Sequence, residues 1–263
     1  MSISVDQALA GAQSKFLNSG AVAAQRMVIA GATGVLGNAV LRRLVGMQRA
    51  SHTSVLAREP IGAGMRHVSA HVVMGEIAQW NVPGAAHARS AGPWDVALVM
   101  LDPPRMFYDR ERALWTPTPE QLPALAAWLK RCGVHTLALV LPHAQGTLPE
   151  ALKRGLASLD EHALAAVGFE RLLIVRTAEK PKALQHRTAT DKLAAWMLGI
   201  ASLMVPASEQ PVRATKVAEL VDMALQHLPL GTWVAAPELV WRAAQGDAAQ
   251  MRAVLKDWLG NHA

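Results

Sequence analysis

Three glycines spaced three apart, Gly31, Gly34 and Gly37, carry the strongest chemical signal in this sequence. They punctuate the run Met27-Val28-Ile29-Ala30-Gly31-Ala32-Thr33-Gly34-Val35-Leu36-Gly37, and an apolar-periodic segment continues to Val45. The physical reading is a buried strand, a tight turn and the start of a helix. Gly31 permits the turn, Gly34 lets a phosphate approach the backbone, and Gly37 lets the helix pack close to the strand. The helix N-terminus offers N–H groups and a partial positive charge to a pyrophosphate. Thr33, Val35 and Leu36 complete the expected binding turn. The spacing is G-x-x-G-x-x-G rather than the commoner G-x-G-x-x-G of dinucleotide-binding dehydrogenases.

Val28-Ile29-Ala30-Gly31-Ala32-Thr33-Gly34-Val35-Leu36-Gly37 resembles the cofactor loop of the atypical short-chain dehydrogenase/reductases, the group that contains NmrA-like proteins. Val55-Leu56-Ala57-Arg58-Glu59-Pro60 is similar to the end of that family's second strand. Val72-Val73-Met74-Gly75-Glu76-Ile77 is similar to its third-strand Val-x-Gly-Asp-Leu pattern, with Glu for Asp. Val167 to Arg176 resembles the strand that usually ends in Arg-Pro, here Arg176-Thr177. The likeness spans about residues 26–245. It implies an NAD(P)-binding protein, with Glu76 and Ile77 near the adenine and Met100 and Leu101 toward the nicotinamide.

Arg58 bears on the choice of dinucleotide. An acidic residue at the end of the second strand would bind the ribose 2′-hydroxyl and select NAD. A guanidinium there suits the 2′-phosphate of NADP, through planar charge-assisted hydrogen bonds. NADP is therefore expected over NAD. Glu59 follows, and would face the opposite way if the strand persisted that far.

The resemblance breaks at the proton relay. The family's enzymes use a Tyr-x-x-x-Lys pair on the helix after the fifth strand, where Lys lowers the pKa of Tyr. This chain has one tyrosine, Tyr108, in the loop after the fourth strand. Counted back from Arg176, Lys153 falls near the family's tyrosine position and Ala157 near its lysine. Two other proton-transfer candidates remain, Tyr108 itself and His143, which follows the fifth strand in Leu141-Pro142-His143. Asp102 and Asp109 are further acids in the same loop as Tyr108. His67 and His71 are four apart without a third ligand nearby, so no metal site is expected.

These residues need an alternating framework to hold them. Strands are expected near 26–30, 52–57, 70–74, 95–101, 136–141, 170–176 and 232–235. Helices are expected over 35–47, 119–132, 149–166, 189–204, 214–228 and 247–259. The fold class is α/β, a Rossmann-like doubly wound and mainly parallel sheet in a single domain with a small C-terminal substrate-side portion. Residues 1–25 form an N-terminal extension, read as a short amphipathic helix from Val5, Ala8, Leu9, Ala12 and Phe16. Residues 26–263 form the NAD(P)-binding domain. The apolar stretch 193–205 suits core packing or contact between copies of the chain.

Composition sets the outer bounds. The chain has 263 residues, 51% of them hydrophobic and 17% charged, enough to bury one large core. The net charge of +6 is scattered, without a Lys/Arg run, so nucleic acid is not the expected partner. A dinucleotide, together with a small molecule or a protein partner, fits better. One cysteine, Cys132, excludes an intrachain disulfide and points to a reducing compartment. No apolar run reaches the length of a membrane span, and a cytoplasmic location is expected. Two function classes stay open: an NADP-linked oxidoreductase with a non-standard proton donor, and a catalytically silent NADP-binding protein with a redox-sensing, regulatory or assembly role.

Overall fold

The computed structural model describes residues 25–62, 67–83, 93–105, 108–142, 161–177 and 212–260. Seven parallel strands form one sheet: β1 (Arg26–Ala30), β2 (His52–Ala57), β3 (Val68–Val72), β4 (Val96–Met100), β5 (Thr136–Leu141), β6 (Arg171–Arg176) and β7 (Gly231–Ala235). Their order across the sheet is β3-β2-β1-β4-β5-β6-β7, and every pairing is parallel. Order reverses at β1, whose neighbours are β2 and β4; in open α/β sheets the crevice at such a point, beyond the carboxyl ends of the strands, is the ligand site. The inner strands are continuous apolar runs because both of their faces are covered.

On one face, helix α1 (Gly34–Gly46) packs beside α5 (Ala214–His227), with α6 (Pro237–Ala244) and α7 (Ala248–Gly260) completing the layer. Leu36, Val40 and Leu44 of α1 and Val217, Leu220, Val221 and Ala224 of α5 recur at helical spacing and are buried. The opposite face is covered by α3 (Leu122–Arg131) and α4 (Glu161–Ala166), with Trp80, Trp94, Trp115 and Trp128 among its buried side chains. A four-residue helix α2 (Asp109–Arg112) lies in the connection between β4 and α3.

Three of the differences from the expected elements have a plain physical reason. Strand β3 runs over 68–72 rather than 70–74, because pairing from Thr53↔Val68 to Ala57↔Val72 fixes its ends on β2. It is a half-buried edge strand carrying Ser69 and His71, so the apolar Val72–Met74 does not mark it. The helix expected over 119–132 opens with a 3-10 turn, Pro119–Gln121, before α3 begins, since Pro119 and Pro123 lack N–H donors. Helix α6 was not anticipated; Pro237 starts it and Leu239, Val240 and Ala243 are its buried stripe. The N-terminal extension and the helix expected over 189–204, with the segment 193–205, lie outside the described residues. So does most of the helix expected over 149–166, of which α4 is the described end. No helix among the described residues is long and apolar enough to cross a membrane.

Candidate functional site

The glycine turn lies at the carboxyl end of β1 and leads into α1. Gly31 (φ +72°) and Gly34 (φ +67°) occupy the left-handed region, where a side chain is disfavoured. A Cβ on Gly31 would overlap the Met100 carbonyl, and one on Gly37 would fall 2.5 Å from the Gly31 carbonyl oxygen. These two glycines thus bring β1, β4 and α1 into close contact. Gly34 differs, because a Cβ there would overlap the Asp102 carboxylate.

A helix start leaves four N–H groups without intrahelical partners, and a local Ser, Thr, Asp or Asn side chain usually takes one. Thr33 stands at that position, fully buried, but its side chain does not cap the helix. Its hydroxyl donates to the Asp102 carbonyl at 2.6 Å and lies 2.9 Å from the Thr116 hydroxyl. Two distant carboxylates take the helix N–H groups instead. Leu36 N–H donates to Asp102 Oδ2 at 2.8 Å, and Gly34 N–H donates to Glu111 Oε2 at 3.0 Å. Both bonds are charge-assisted and lie where the helix dipole favours an anion.

Glu111 is 4% exposed and surrounded by donors. Besides Gly34, it accepts from Arg105 N–H at 2.9 Å, from Arg105 Nε at 2.7 Å and from Asn38 Nδ2 at 2.8 Å, and Arg105 Nη2 closes an ion pair with it. Burial pushes the Glu111 carboxyl up, but the bonds from Arg105 and Gly34 outweigh it and hold it below its ordinary value.

Backbone bonds fasten the same connection across the turn. Trp115 N–H donates to the Leu56 carbonyl at 3.0 Å, Arg58 N–H to the Ala113 carbonyl at 2.7 Å, and Gly31 N–H to the Trp115 carbonyl at 3.0 Å. Leu114 bridges Ala57 in an antiparallel sense at the end of β2.

The other residues singled out in the sequence fall around this centre. Arg58 is exposed just beyond the end of β2 and, with Arg112, Leu101, Pro104 and Leu114, lines a cavity of about 460 Å³ at the carboxyl edge of the sheet. The charged lining of that cavity is two guanidinium groups, Arg58 and Arg112, and one carboxylate, Glu120. Because β2 ends at Ala57, strand alternation does not govern where Glu59 points. Val35 is 64% exposed, whereas Leu36, Ile77 and Leu101 are buried in the two cores. Glu76 is exposed, ahead of the 3-10 turn Ile77–Gln79 on the β3 side.

Tyr108 is half exposed at the start of α2, with the Arg105 guanidinium 3.7 Å above its ring. His143 and Lys153 lie outside the described residues. His67 is exposed at a positive φ ahead of β3, while His71 meets the edge of Trp94 at 5.2 Å; burial holds the His71 pKa below its ordinary value. Among the described residues no three metal-ligating side chains come together. Cys132 is buried, and burial pushes its thiol up to about 12, which removes thiolate reactivity. A second hollow of about 430 Å³, lined by Leu44, Val45, Thr53 and Val68, opens at the amino edge, away from the turn.

Sequence reasoning found the turn but missed Asp102 and Glu111 as its partners. In the sequence Asp102 reads only as an acid in the loop of Tyr108, and Glu111 carries no signal of its own. The residues present do not fit a pyrophosphate as they stand, because the N–H groups of Gly34 and Leu36 are already bonded to carboxylates.

No protein-family model matches the sequence, and no curated protein matches it. Among solved structures, the chain is similar to a Rossmann-fold NAD(P)-binding family protein from Shigella flexneri, at 18% identity over 79% of this chain and 92% of that one, with a TM-score of 0.43. It is also similar to the Bordetella bronchiseptica enzyme WbmG in complex with NAD, at 13% identity over 90% of this chain and 79% of that one (TM-score 0.46). A third likeness is to ADP-L-glycero-D-manno-heptose-6-epimerase from Helicobacter pylori, at 13% identity over 91% and 84% of the two chains (TM-score 0.43). The assignment of the Rossmann-like fold rests on the strand order and the position of the glycine turn.

Proposed function

We propose that this chain is a catalytically silent, NADP-responsive protein of the atypical short-chain dehydrogenase/reductase type, with a regulatory or assembly role. The observation that carries this reading is the place of the single tyrosine. Tyr108 lies in the connection after β4, outside the helix that follows β5, and the Arg105 guanidinium covers its ring. The family's chemistry needs a tyrosine hydroxyl whose pKa is lowered by a lysine four residues on, and Arg112 stands at that spacing instead. The glycine turn at the end of β1 supports a dinucleotide as the ligand class, and Arg58 beside Arg112 supports NADP over NAD.

Turnover and binding test the two halves separately. NADPH with a panel of carbonyl substrates, and NADP with alcohols, should give no turnover above the uncatalysed rate. Robust turnover would restore the oxidoreductase reading, and its loss on replacing His143 or Tyr108 would identify the proton donor. By titration calorimetry NADPH should bind more tightly than NADH. One charge-assisted contact is worth about 1.5–3 kcal/mol, or on the order of ten- to a hundredfold. Arg58→Ala should remove most of that preference and leave NADH unchanged; equal affinities in the unmodified protein would refute the role of Arg58.

A further inference from the structure

We propose that Asp102 and Glu111 are an internal competitor for the dinucleotide, and that nucleotide binds only when their carboxylates are displaced from the start of α1. This rests on the nucleotide-binding reading above and adds its regulation. A pyrophosphate seated on α1 would take the N–H groups of Gly34 and Leu36, and these donate to Glu111 and Asp102. The space that glycine leaves at position 34, which would let a phosphate reach the backbone, is taken by the Asp102 carboxylate. Two negative groups meet at one helix start, where a single local Ser, Thr, Asp or Asn side chain is the usual cap. Their number and charge match those of the ligand they exclude.

The arrangement is also built to come apart without unfolding the sheet. Leu101 and Trp115 are buried in the core on either side of it. Pro104, Tyr108, Arg110 and Arg112 are exposed, and the inward contacts of Asp102, Arg105 and Glu111 are polar. Water or a phosphate can replace such contacts. Displacement would also loosen the bonds that fasten this connection beside the turn, from Arg58 N–H to the Ala113 carbonyl and from Trp115 N–H to the Leu56 carbonyl, so nucleotide binding would remodel the surface at the ends of β1 and β2. That is how a protein without a proton relay can report its ligand to a partner.

The test uses the full chain and three variants, Asp102→Asn, Glu111→Gln and the double variant, which keep side-chain size and remove charge. NADPH and inorganic pyrophosphate are titrated by calorimetry, and hydrogen exchange is followed at the Gly34 and Leu36 amides. Each single substitution should tighten NADPH binding by about tenfold, equivalent to about 1.4 kcal/mol, and the double variant more than either. The two amides should exchange faster in the nucleotide-free double variant and regain protection with NADPH. Equal or weaker NADPH binding by the variants would overturn the competition and leave the nucleotide reading intact. Absence of binding by all four proteins would overturn both.

Discussion

Helix α1 is gripped at both ends by carboxylates from distant parts of the chain, and the two grips differ in what they displace. At its carboxyl end, Asp222 of α5 accepts from Arg43 Nε at 2.8 Å and from Arg49 Nε at 2.5 Å. Arg43 lies in the last turn of α1, where the dipole favours a cation, and Asp222 sits on a fourteen-residue helix whose apolar face packs on α1. That carboxylate joins two helices, at the end of α1 away from the glycine turn. At the amino end, Asp102 and Glu111 come from a connection with one four-residue helix, and they occupy the place an anion would take. Similar chemistry is therefore structural at one end and exchangeable at the other, and the difference lies in the apolar packing behind each acid.

Removing the structural grip should have the largest effect. Asp222→Ala should cost about 2–3 kcal/mol, discounted because Arg43 and Arg49 are partly exposed and can be rehydrated. The thermal midpoint should fall by about 5–10 °C while NADPH affinity is unchanged. A loss of affinity with an unchanged midpoint would erase the distinction between the two ends. Gly34→Ala should cost about 1–2 kcal/mol for its left-handed backbone, and should also push Asp102 off Leu36. Denaturant unfolding measures the first effect, and faster exchange at the Leu36 amide the second; no change in either would mean the turn relaxes around the methyl.

Acid should loosen the hold of Glu111 on the amino-terminal end, and this is the smallest of the effects. Glu111 is held below its ordinary value, so its contribution is complete above the usual carboxylate pKa of about 4.3 and is lost as pH falls through its lower folded value. The charged group that meets it is Arg105, on its own connection; from α1 it meets the neutral Asn38 amide and Gly34 N–H. The difference in thermal midpoint between wild type and Glu111→Gln should be constant from about pH 8 to 5 and shrink below about pH 4. A difference that grows in acid would reverse the assigned shift.

What the sequence made legible was local. The run Met27–Gly37 contains a strand, a turn and a helix start within eleven residues, and each glycine in it answers a contact in the fold. Arg58 could be placed by its distance from that turn. The occupants of the turn could not, because Asp102 and Glu111 are 66 and 77 residues away from the N–H groups they accept from. No periodicity links residues across such a gap. The one available signal was the cluster of acids and arginines from Asp102 to Arg112, which as sequence reads like a solvated loop. Helix α6 was missed for another reason: at eight residues it is too short for its stripe to stand out beside β7.

Trp115, whose backbone bonds bind the connection to Gly31 and Leu56, has its indole edge-on to Trp80 at 4.9 Å, and Trp80 in turn meets Trp128 at 5.0 Å. Indoles this close couple their electronic transitions, so the pair has a signature in circular dichroism that neither ring has by itself. The molecule therefore carries an optical gauge of its own state. While the carboxylates hold the helix, the couplet is present; if Trp115 shifts as they leave, the signal changes without any dye, label or engineered residue.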